Sequence, residues 1–306
     1  MKTLIVKLGA LGDVVRTTAL LRELEGEIYW LTQQNAKDLL QSSKIKKIYS
    51  FEDKEEMGRL KEEEFDLIIS LDEERDVLEL VRELRTKKLI GVFLNNENEF
   101  DYTSTSSQWF DMSFASSKFG KERADELKLL NKKSVPQMLI EMIGGRWNGQ
   151  EYDLGLEEKK VNEKIVGLVN VANGKWPNKG WKGYEKLAEL LKAEGYGVVF
   201  LDMKSSLKEH IEEINSCSVV VCGDTLGMHI ALALKKKVIC LFNCTPPQEI
   251  YDYGRMIKIV SPLINKYMYK RSFDKEAIEA ISVEEVYDSM KNFSKKVEFR
   301  FVVPQF

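Results

Sequence analysis

An acidic side chain follows a buried strand and a glycine turn near the beginning of the chain. The apolar run 4–8 leads into Gly9-Ala10-Leu11-Gly12-Asp13, and residues 14–21 have the pattern of a helix. Asp13 is therefore predicted at the carboxyl end of a parallel strand, the edge where open α/β sheets bind ligands. A carboxylate there can act as a general base, or it can cap the following helix. The local sequence leaves both interpretations of Asp13 open.

A second turn of the same kind lies in the second half of the chain. The apolar strand 219–222 runs into Gly223-Asp224-Thr225-Leu226-Gly227-Met228-His229, and a helix follows. The N–H groups at a helix start and the helix dipole attract anions, so this turn suits a diphosphate. The alternative is an ordinary turn in which Asp224 or Thr225 caps the helix and His229 is packed inside.

Two further polar segments follow predicted strands in the second half. Residues 173–181 contain Lys175 and Lys179 among aromatic residues, and these lysines can hold a phosphate or remain solvated. Residues 245–250 begin Thr-Pro-Pro after the strand that ends at Phe242, and the prolines restrict the backbone. The sequence has no D-x-D triplet, the paired acids that hold a divalent ion on many nucleotide sugars. The charge of a diphosphate would then be balanced by lysines and helix N–H groups.

The elements that must position these turns alternate between apolar strands and amphipathic helices. This alternation predicts parallel sheets with right-handed crossovers, and it restarts after a linker at 148–160. We therefore predict an α/β fold with two Rossmann-like domains, 1–155 and 156–306, whose parallel sheets face a cleft. Further predictions are a long loop at 95–108, a basic helix at 118–133, a Ser-capped helix at 205–215 and a strand at 297–303.

Composition narrows the class of protein. The 306 residues are 43% hydrophobic and 31% charged, which indicates a soluble globular chain. The net charge of −3 argues against a dedicated nucleic-acid binder. Because no signal peptide and no apolar run of about 20 residues is visible, we expect a cytoplasmic protein whose membrane contact is at most peripheral.

The cysteines and one basic segment can each be interpreted in more than one way. The four cysteines fall within 217–244, and we expect buried free thiols because the chain has only two histidines to complete a metal site. The basic segment 118–133 suits an anionic lipid-linked acceptor or a membrane surface. Its alternative interpretation is a solvated helix face.

Taken in the order in which they occur along the chain, the turns and loops described above resemble those of glycosyltransferase family 9, the heptosyltransferase family of bacterial lipopolysaccharide assembly. The resemblance is carried by residues 7–14, Lys179-Gly180-Trp181, 224–231, 238–246 and 280–286. It departs from the family at Leu226, where members usually have glycine, and in a short stretch between Leu201 and Ser205.

The resemblance implies a GT-B fold with an N-terminal acceptor domain and a C-terminal domain for the nucleotide sugar. It implies an inverting, metal-independent transfer of a heptose-like sugar from a nucleotide-diphosphate sugar, such as ADP-heptose, with no cofactor. The acceptor would be a glycan or a lipid-linked saccharide of the cell envelope, reached at the inner face of the bacterial inner membrane. Nucleic acid is not an expected partner.

The resemblance also implies roles for single residues. Asp13 would be the general base that deprotonates the acceptor hydroxyl. The acceptor loop would comprise Lys7, Gly9, Ala10 and Gly12. The donor diphosphate would be bound by Lys179, Asp224, Thr225, Leu226, Gly227 and His229. Two other functions remain open: a GT-B nucleotide-sugar epimerase and a non-catalytic nucleotide-sugar binding protein.

Overall fold

Two separate parallel sheets organise the chain. The computed structural model describes residues 1–161, 164–170, 174–202 and 206–298. One unit consists of Met1–Leu156 with Gln248–Tyr251, and the other of Glu157–Pro247 with the described residues from Asp252 onward. Each unit is built on its own sheet.

The sheet of the first unit has the order β3-β2-β1-β5-β7-β8. All neighbours pair in parallel except β7 and β8, which are antiparallel, while β4 and β6 form a separate short pair. The order reverses at β1, so the switch point lies between β1 and β5. The strands are β1 (Lys2–Val6), β2 (Glu27–Thr32), β3 (Ile45–Ser50), β4 (Glu64–Phe65), β5 (Leu67–Ser70), β6 (Arg85–Thr86), β7 (Leu89–Leu94) and β8 (Phe100–Tyr102).

The helices of this unit cover the sheet and bury its apolar strands. Because both faces are covered, β1 and β5 are almost continuously hydrophobic, and Leu4, Ile5 and Ile68 are fully buried. The helices are α1 (Leu11–Thr17), α2 (Lys54–Glu62), α3 (Arg75–Glu83), α4 (Ser107–Phe110), α5 (Gly120–Leu130) and α6 (Val135–Met142), with 3-10 turns at Thr18–Arg22, Gln34–Leu39 and Ser104–Ser106.

The second unit has an all-parallel sheet in the order β10-β9-β11-β12-β13. Its switch point lies between β9 and β11. The strands are β9 (Ile165–Val169), β10 (Gly197–Phe200), β11 (Val219–Gly223), β12 (Lys237–Phe242) and β13 (Met256–Val260). The helices are α7 (Tyr184–Ala193), α8 (Leu207–Asn215), α9 (Leu226–Ala233), α10 (Ile264–Tyr267), α11 (Lys275–Glu279) and α12 (Val283–Glu298), with 3-10 turns at Pro177–Lys179 and Pro247–Glu249.

The α/β prediction is confirmed, but several predicted elements differ. The stretch 95–108 contains β8, because the edge of β7 offers its N–H and C=O groups to a pairing strand. The basic helix 118–133 is limited to α5. Ser206 caps α8 by accepting from Glu209 N–H at 3.2 Å, while Ser205 lies outside the described residues. The start of the predicted strand 297–303 is helical through Glu298, and its remainder lies outside the described residues.

Two expectations concern the whole chain. All four cysteines are buried free thiols, as predicted. Within the described ranges, no helix is both long enough and apolar enough to cross a membrane.

Candidate functional site

Asp13 lies in the first turn of α1, directly beyond the carboxyl end of β1. Ala10 occupies the N-cap position, and the Asp13 N–H donates to the Ala10 carbonyl at 2.8 Å. Asp13 is therefore not the N-cap residue of this helix. Its carboxylate is 37% exposed and lies 2.7 Å from the guanidinium of Arg16, which is only 13% exposed. The result is an accessible carboxylate beside a largely buried cation.

Arg16 also connects Asp13 to an aromatic side chain. Its guanidinium carbon lies 5.8 Å from the ring centroid of Trp109 in α4, within cation–π distance. The sequence analysis missed both Arg16 and Trp109. The sequence could have shown Arg16, because it lies one helical turn after Asp13. Trp109 is far from Asp13 in the sequence, and only folding brings the two residues together.

A buried ion pair lies under the same edge. Lys7 follows β1 and Asp72 follows β5, and Lys7 Nζ donates to Asp72 Oδ1 at 2.7 Å. The Leu8 N–H donates to the other carboxylate oxygen of Asp72. Both charged side chains are about nine-tenths buried. The sequence analysis missed Asp72, although it follows a buried strand just as Asp13 and Asp224 do.

Burial and mutual attraction shift the pKa values of Asp72 and Lys7 in opposite directions. Burial raises the pKa of Asp72 to about 6, although Lys7 opposes this shift. Burial by itself would lower the pKa of Lys7, but Asp72 and then Asp13 outweigh it, so the pKa of Lys7 is raised. At neutral pH both groups are therefore charged.

The predicted acceptor loop lies together at this edge of the first sheet. Trp30 Nε1 donates to the Lys7 carbonyl at 3.1 Å, and the Thr32 hydroxyl donates to the Leu8 carbonyl at 3.3 Å. A Cβ at Gly9 would lie 3.5 Å from the Gln33 side chain. Ala10 is the N-cap of α1 and Gly12 is its second residue.

In the second unit, Asp224 is the centre of a buried charge cluster. It follows β11, and its Oδ2 accepts from Lys179 Nζ at 2.8 Å. The Nε2 of buried His229 lies 3.9 Å from Asp224 Oδ1. Burial would raise the pKa of Asp224, but Lys179 and His229 hold that pKa well below its usual range. The structure thus brings together three of the residues predicted to bind a diphosphate.

Two glycines make the close packing of this cluster possible. A Cβ at Gly223 would lie 2.2 Å from the Lys179 carbonyl, and one at Gly227 would lie 2.9 Å from Val169. The first contact lets the backbone at Lys179 approach the end of β11. The second lets α9 approach the end of β9. Leu226, which stands where family members usually have glycine, is the first residue of α9.

Polar atoms without partners line the neighbouring strand ends. Thr225 occupies the N-cap position of α9, but its hydroxyl makes no capping bond. Thr225 Oγ1 and Asn243 Oδ1 are buried and have no hydrogen-bond partner among the residues that the structure describes. The buried Thr245 hydroxyl instead faces Asp224 and helps to keep the pKa of that carboxyl low. Since buried polar atoms are normally paired, the first two atoms point to a polar ligand. The first N–H groups of α9 lack acceptors within the helix, and they add donors at the same place.

The side chain of Asn178 fixes the loop that carries Lys179 by hydrogen bonds to the segment 272–274. This fully buried side chain donates to the carbonyl of Ser272 at 2.8 Å and accepts from the Asp274 N–H at 2.8 Å. Trp181 is packed in the core of the second unit. Lys175 is exposed, and Asn173 lies outside the described residues. Across the described part of the chain, no three His, Cys, Asp or Glu side chains form a group that could hold a metal ion.

Comparisons with known proteins agree with this architecture. The sequence model of Glycosyltransferase family 9 (heptosyltransferase) matches residues 201–279, which include the Asp224 turn. Lipooligosaccharide heptosyltransferase 2 of Haemophilus influenzae is 29% identical over 129 residues, a match that covers 33% of this chain. That match spans 37% of the length of the Haemophilus protein.

Solved structures match over nearly the whole chain. E. coli ADP-heptose lps heptosyltransferase II has a TM-score of 0.65 at 16% identity, covering 97% of this chain and 100% of that one. E. coli heptosyltransferase WaaC with ADP-2-deoxy-2-fluoro heptose has a TM-score of 0.62 at 13% identity, covering 95% and 99%.

The fold shared with these structures is that of GT-B glycosyltransferases, so the predicted fold class is confirmed. The family match and the curated relative narrow this class. They confirm the predicted resemblance of this chain to glycosyltransferase family 9, the heptosyltransferase family.

Proposed function

We propose that this protein is an inverting, metal-independent heptosyltransferase of bacterial cell-envelope synthesis. Its donor is a nucleotide-diphosphate sugar of the ADP-heptose type, and its acceptor is a glycan or a lipid-linked saccharide. The N-terminal domain, 1–155, takes the acceptor, and the C-terminal domain, 156–306, takes the donor. The known relatives support the donor class, since one solved structure contains ADP-2-deoxy-2-fluoro heptose.

The observation that carries the proposal is the turn after β11. Lys179, paired with Asp224, contributes a fixed cation, and the start of α9 contributes backbone donors. The unpartnered Thr225 hydroxyl lies beyond the end of β11, and the buried Thr245 hydroxyl lies beyond the end of the neighbouring β12, where it faces Asp224. A departing nucleoside diphosphate gains negative charge as its bond to the sugar breaks, and these donors stabilise that charge.

Asp13 is proposed to act on the acceptor. Its carboxylate takes the proton of an acceptor hydroxyl while that oxygen forms a bond to the anomeric carbon. The bond between the anomeric carbon and the diphosphate oxygen breaks at the same time, so the configuration inverts. Arg16 limits the motion of the Asp13 carboxylate, and Trp109 offers an aromatic face on which a sugar ring can lie.

A mixed basic and apolar surface supports a lipid-linked acceptor and peripheral membrane contact. Phe114, Phe119, Leu129 and Leu130 are exposed, and the same segment carries Lys118 and Lys121, which pair with Asp101 and Asp125. We refer to the four apolar residues and the two lysines as the α5 surface. The segment before α5 is tied to the end of β5, because Ser116 N–H donates to Glu73 at 3.0 Å. The α5 surface is therefore connected to the edge of the sheet that carries Asp13.

Incubation of the purified protein with ADP-heptose, with and without a lipid-linked core saccharide, tests the proposal. We expect ADP release that depends on the acceptor, together with a β-to-α or α-to-β inversion at the transferred sugar, and no loss of rate with EDTA. Isomerisation of the donor alone would instead identify an epimerase. Tight donor binding without any turnover would identify a non-catalytic binding protein.

A further inference from the structure

We propose that Asp72 is a positioning residue for the base: by binding Lys7 and the Leu8 N–H, it fixes the loop that leads into Asp13 and keeps a cation beside that carboxylate. This inference rests on the proposed function, because it concerns how Asp13 is held for catalysis. None of the sequence motifs that carry the family resemblance contains Asp72.

The geometry places Asp72 where it can act on this loop. Val6 and Ser70 are partners in adjacent parallel strands, so the residues beyond them leave the sheet side by side. Asp72 accepts from the side chain of Lys7 and from the backbone of Leu8. On the opposite side, β2 holds the same two residues through Trp30 and Thr32. The loop is thus fixed from both neighbouring strands before it reaches α1.

Net stabilisation does not by itself account for a buried pair of this kind. Removing two charges from water costs free energy that their attraction does not always recover. The raised pKa of Asp72 is consistent with this cost, since folding favours its neutral form. The charged groups that face the pair are Glu74 beside Asp72 and Asp13 on α1. A buried, perturbed carboxyl group at the ligand edge of a parallel sheet is therefore a candidate for a role in the site.

The pair has two effects on Asp13. Lys7 attracts the Asp13 carboxylate and Arg16 is paired with it, so two cations favour the charged form of Asp13 and restrict its position. The fixed loop also sets the start of α1 and therefore the direction of the Asp13 side chain. Protonation of Asp72 removes the partner of Lys7 and weakens both effects.

The test compares the transfer kinetics of the wild type and Asp72→Asn over a range of pH. We expect the kcat of Asp72→Asn to fall about 10-fold to 100-fold, because small displacements of a reacting group cost rates of this order. The KM for the donor should stay within about threefold, since the donor site belongs to the other unit. The wild type should lose activity on acidification through about pH 6, and Asp72→Asn should lack this transition.

A second variant keeps the test decisive if Asp72→Asn does not fold. Lys7→Met combined with Asp72→Leu removes both charges, and it should show the same loss of kcat with donor binding retained. A kcat and an acid transition like those of the wild type, in either folded variant, would overturn the inference. Absence of transfer by the wild type, or full turnover by Asp13→Asn, would refute the proposed function itself.

Discussion

Asp13 and Asp224 both follow parallel strands and both face a cation, yet their surroundings prepare them for different tasks. Asp224 is almost enclosed, and Lys179 and His229 stabilise its charge so strongly that it is a poor proton acceptor. Asp13 is more than a third exposed and can be reached by a hydroxyl group. We therefore assign proton transfer to Asp13, and assign to Asp224 the positioning of Lys179.

Replacement of Asp13 by asparagine tests this assignment. We expect the kcat of Asp13→Asn to fall by about 10²–10⁴-fold, because the amide cannot accept the proton. Donor affinity, measured by titration calorimetry, should not change. The matched control is Asp76→Asn, which removes an exposed carboxylate from the first turn of α3. If both variants keep near-normal turnover, Asp13 is not the base.

Because of Asp72, the free energy of unfolding should decrease as the pH rises from the acidic range toward neutrality. Its folded-state pKa of about 6 exceeds the value of about 3.9 in an unfolded chain. Its stabilising contribution is therefore complete below pH ~3.9 and is lost as the pH rises through about 6. Urea unfolding should show that the stability of the wild type relative to Asp72→Asn decreases by about 2–3 kcal/mol across this interval. A constant difference would contradict the assignment.

At the scale of the elements, the order of the strands determines which segments meet at the predicted donor site. In the second unit, β9, β11 and β12 are adjacent and parallel, so the segments beyond them meet although they are far apart in sequence. Gly223 permits this meeting, because the Lys179 carbonyl occupies the space that a side chain would need. The donor site thus depends on close backbone contact as well as on charged residues.

Gly223→Ala should therefore disturb the donor site. The added methyl group must displace the Lys179 loop, and we expect a destabilisation of about 1–3 kcal/mol and at least about tenfold weaker binding of ADP. Gly58→Ala, in α2 of the other unit, is the control, since no described atom lies within 4 Å of a Cβ at that position. Calorimetric titration measures the affinity of both variants for ADP. Equal affinities would mean that the Lys179 loop does not contact the diphosphate.

The α5 surface makes a separate prediction. Phe119 and Phe273 are both 61% exposed, but only Phe119 belongs to the α5 surface. Phe119→Ser should weaken sedimentation with anionic phosphatidylglycerol vesicles, because an aromatic side chain that enters the membrane interface contributes about 1.5–3 kcal/mol. Phe273→Ser should bind vesicles like the wild type. Equal binding by all three proteins would show that α5 does not face the membrane.

At the scale of the whole molecule, the proposed mechanism assigns the acceptor and the donor to two similar units. Each unit has its own parallel sheet and its own switch point, and each carries an acid beside a cation there. The two halves of the proposed reaction would therefore be built on separate sheets.

Thermal denaturation with nucleotide sugars tests the donor class at this scale. A donor at 100 times its Kd adds about 2.7 kcal/mol to the free energy of unfolding of the unit that binds it. We expect ADP-heptose to raise the Tm by several degrees, and GDP-, UDP- and dTDP-sugars to have smaller effects at equal concentration. Lys179→Met should abolish the increase. A larger increase with another nucleotide would change the proposed donor.

The sequence alone determined the fold class and the positions of the two acidic turns. Apolar strands that alternate with amphipathic helices leave few arrangements other than parallel sheets, and a residue after such a strand must lie at the ligand edge. The family motifs then gave Asp13, Lys179 and the turn 224–227. The structure places these residues after β1, before α7 and after β11, because such positions depend on contacts that are local in the chain. Their roles stay predictions.

Only the tertiary structure decided which groups face these residues. Lys7 and Asp72 are partners because β1 and β5 are neighbours, and Arg16 contacts Trp109 because the segment after β8 returns to α1. The strand order and the packing of loops set such contacts, and single-sequence patterns do not encode them. The sequence therefore pointed to Asp13 and to the cations near it, whereas the fold supplied Asp72 and Trp109, the partners of those cations.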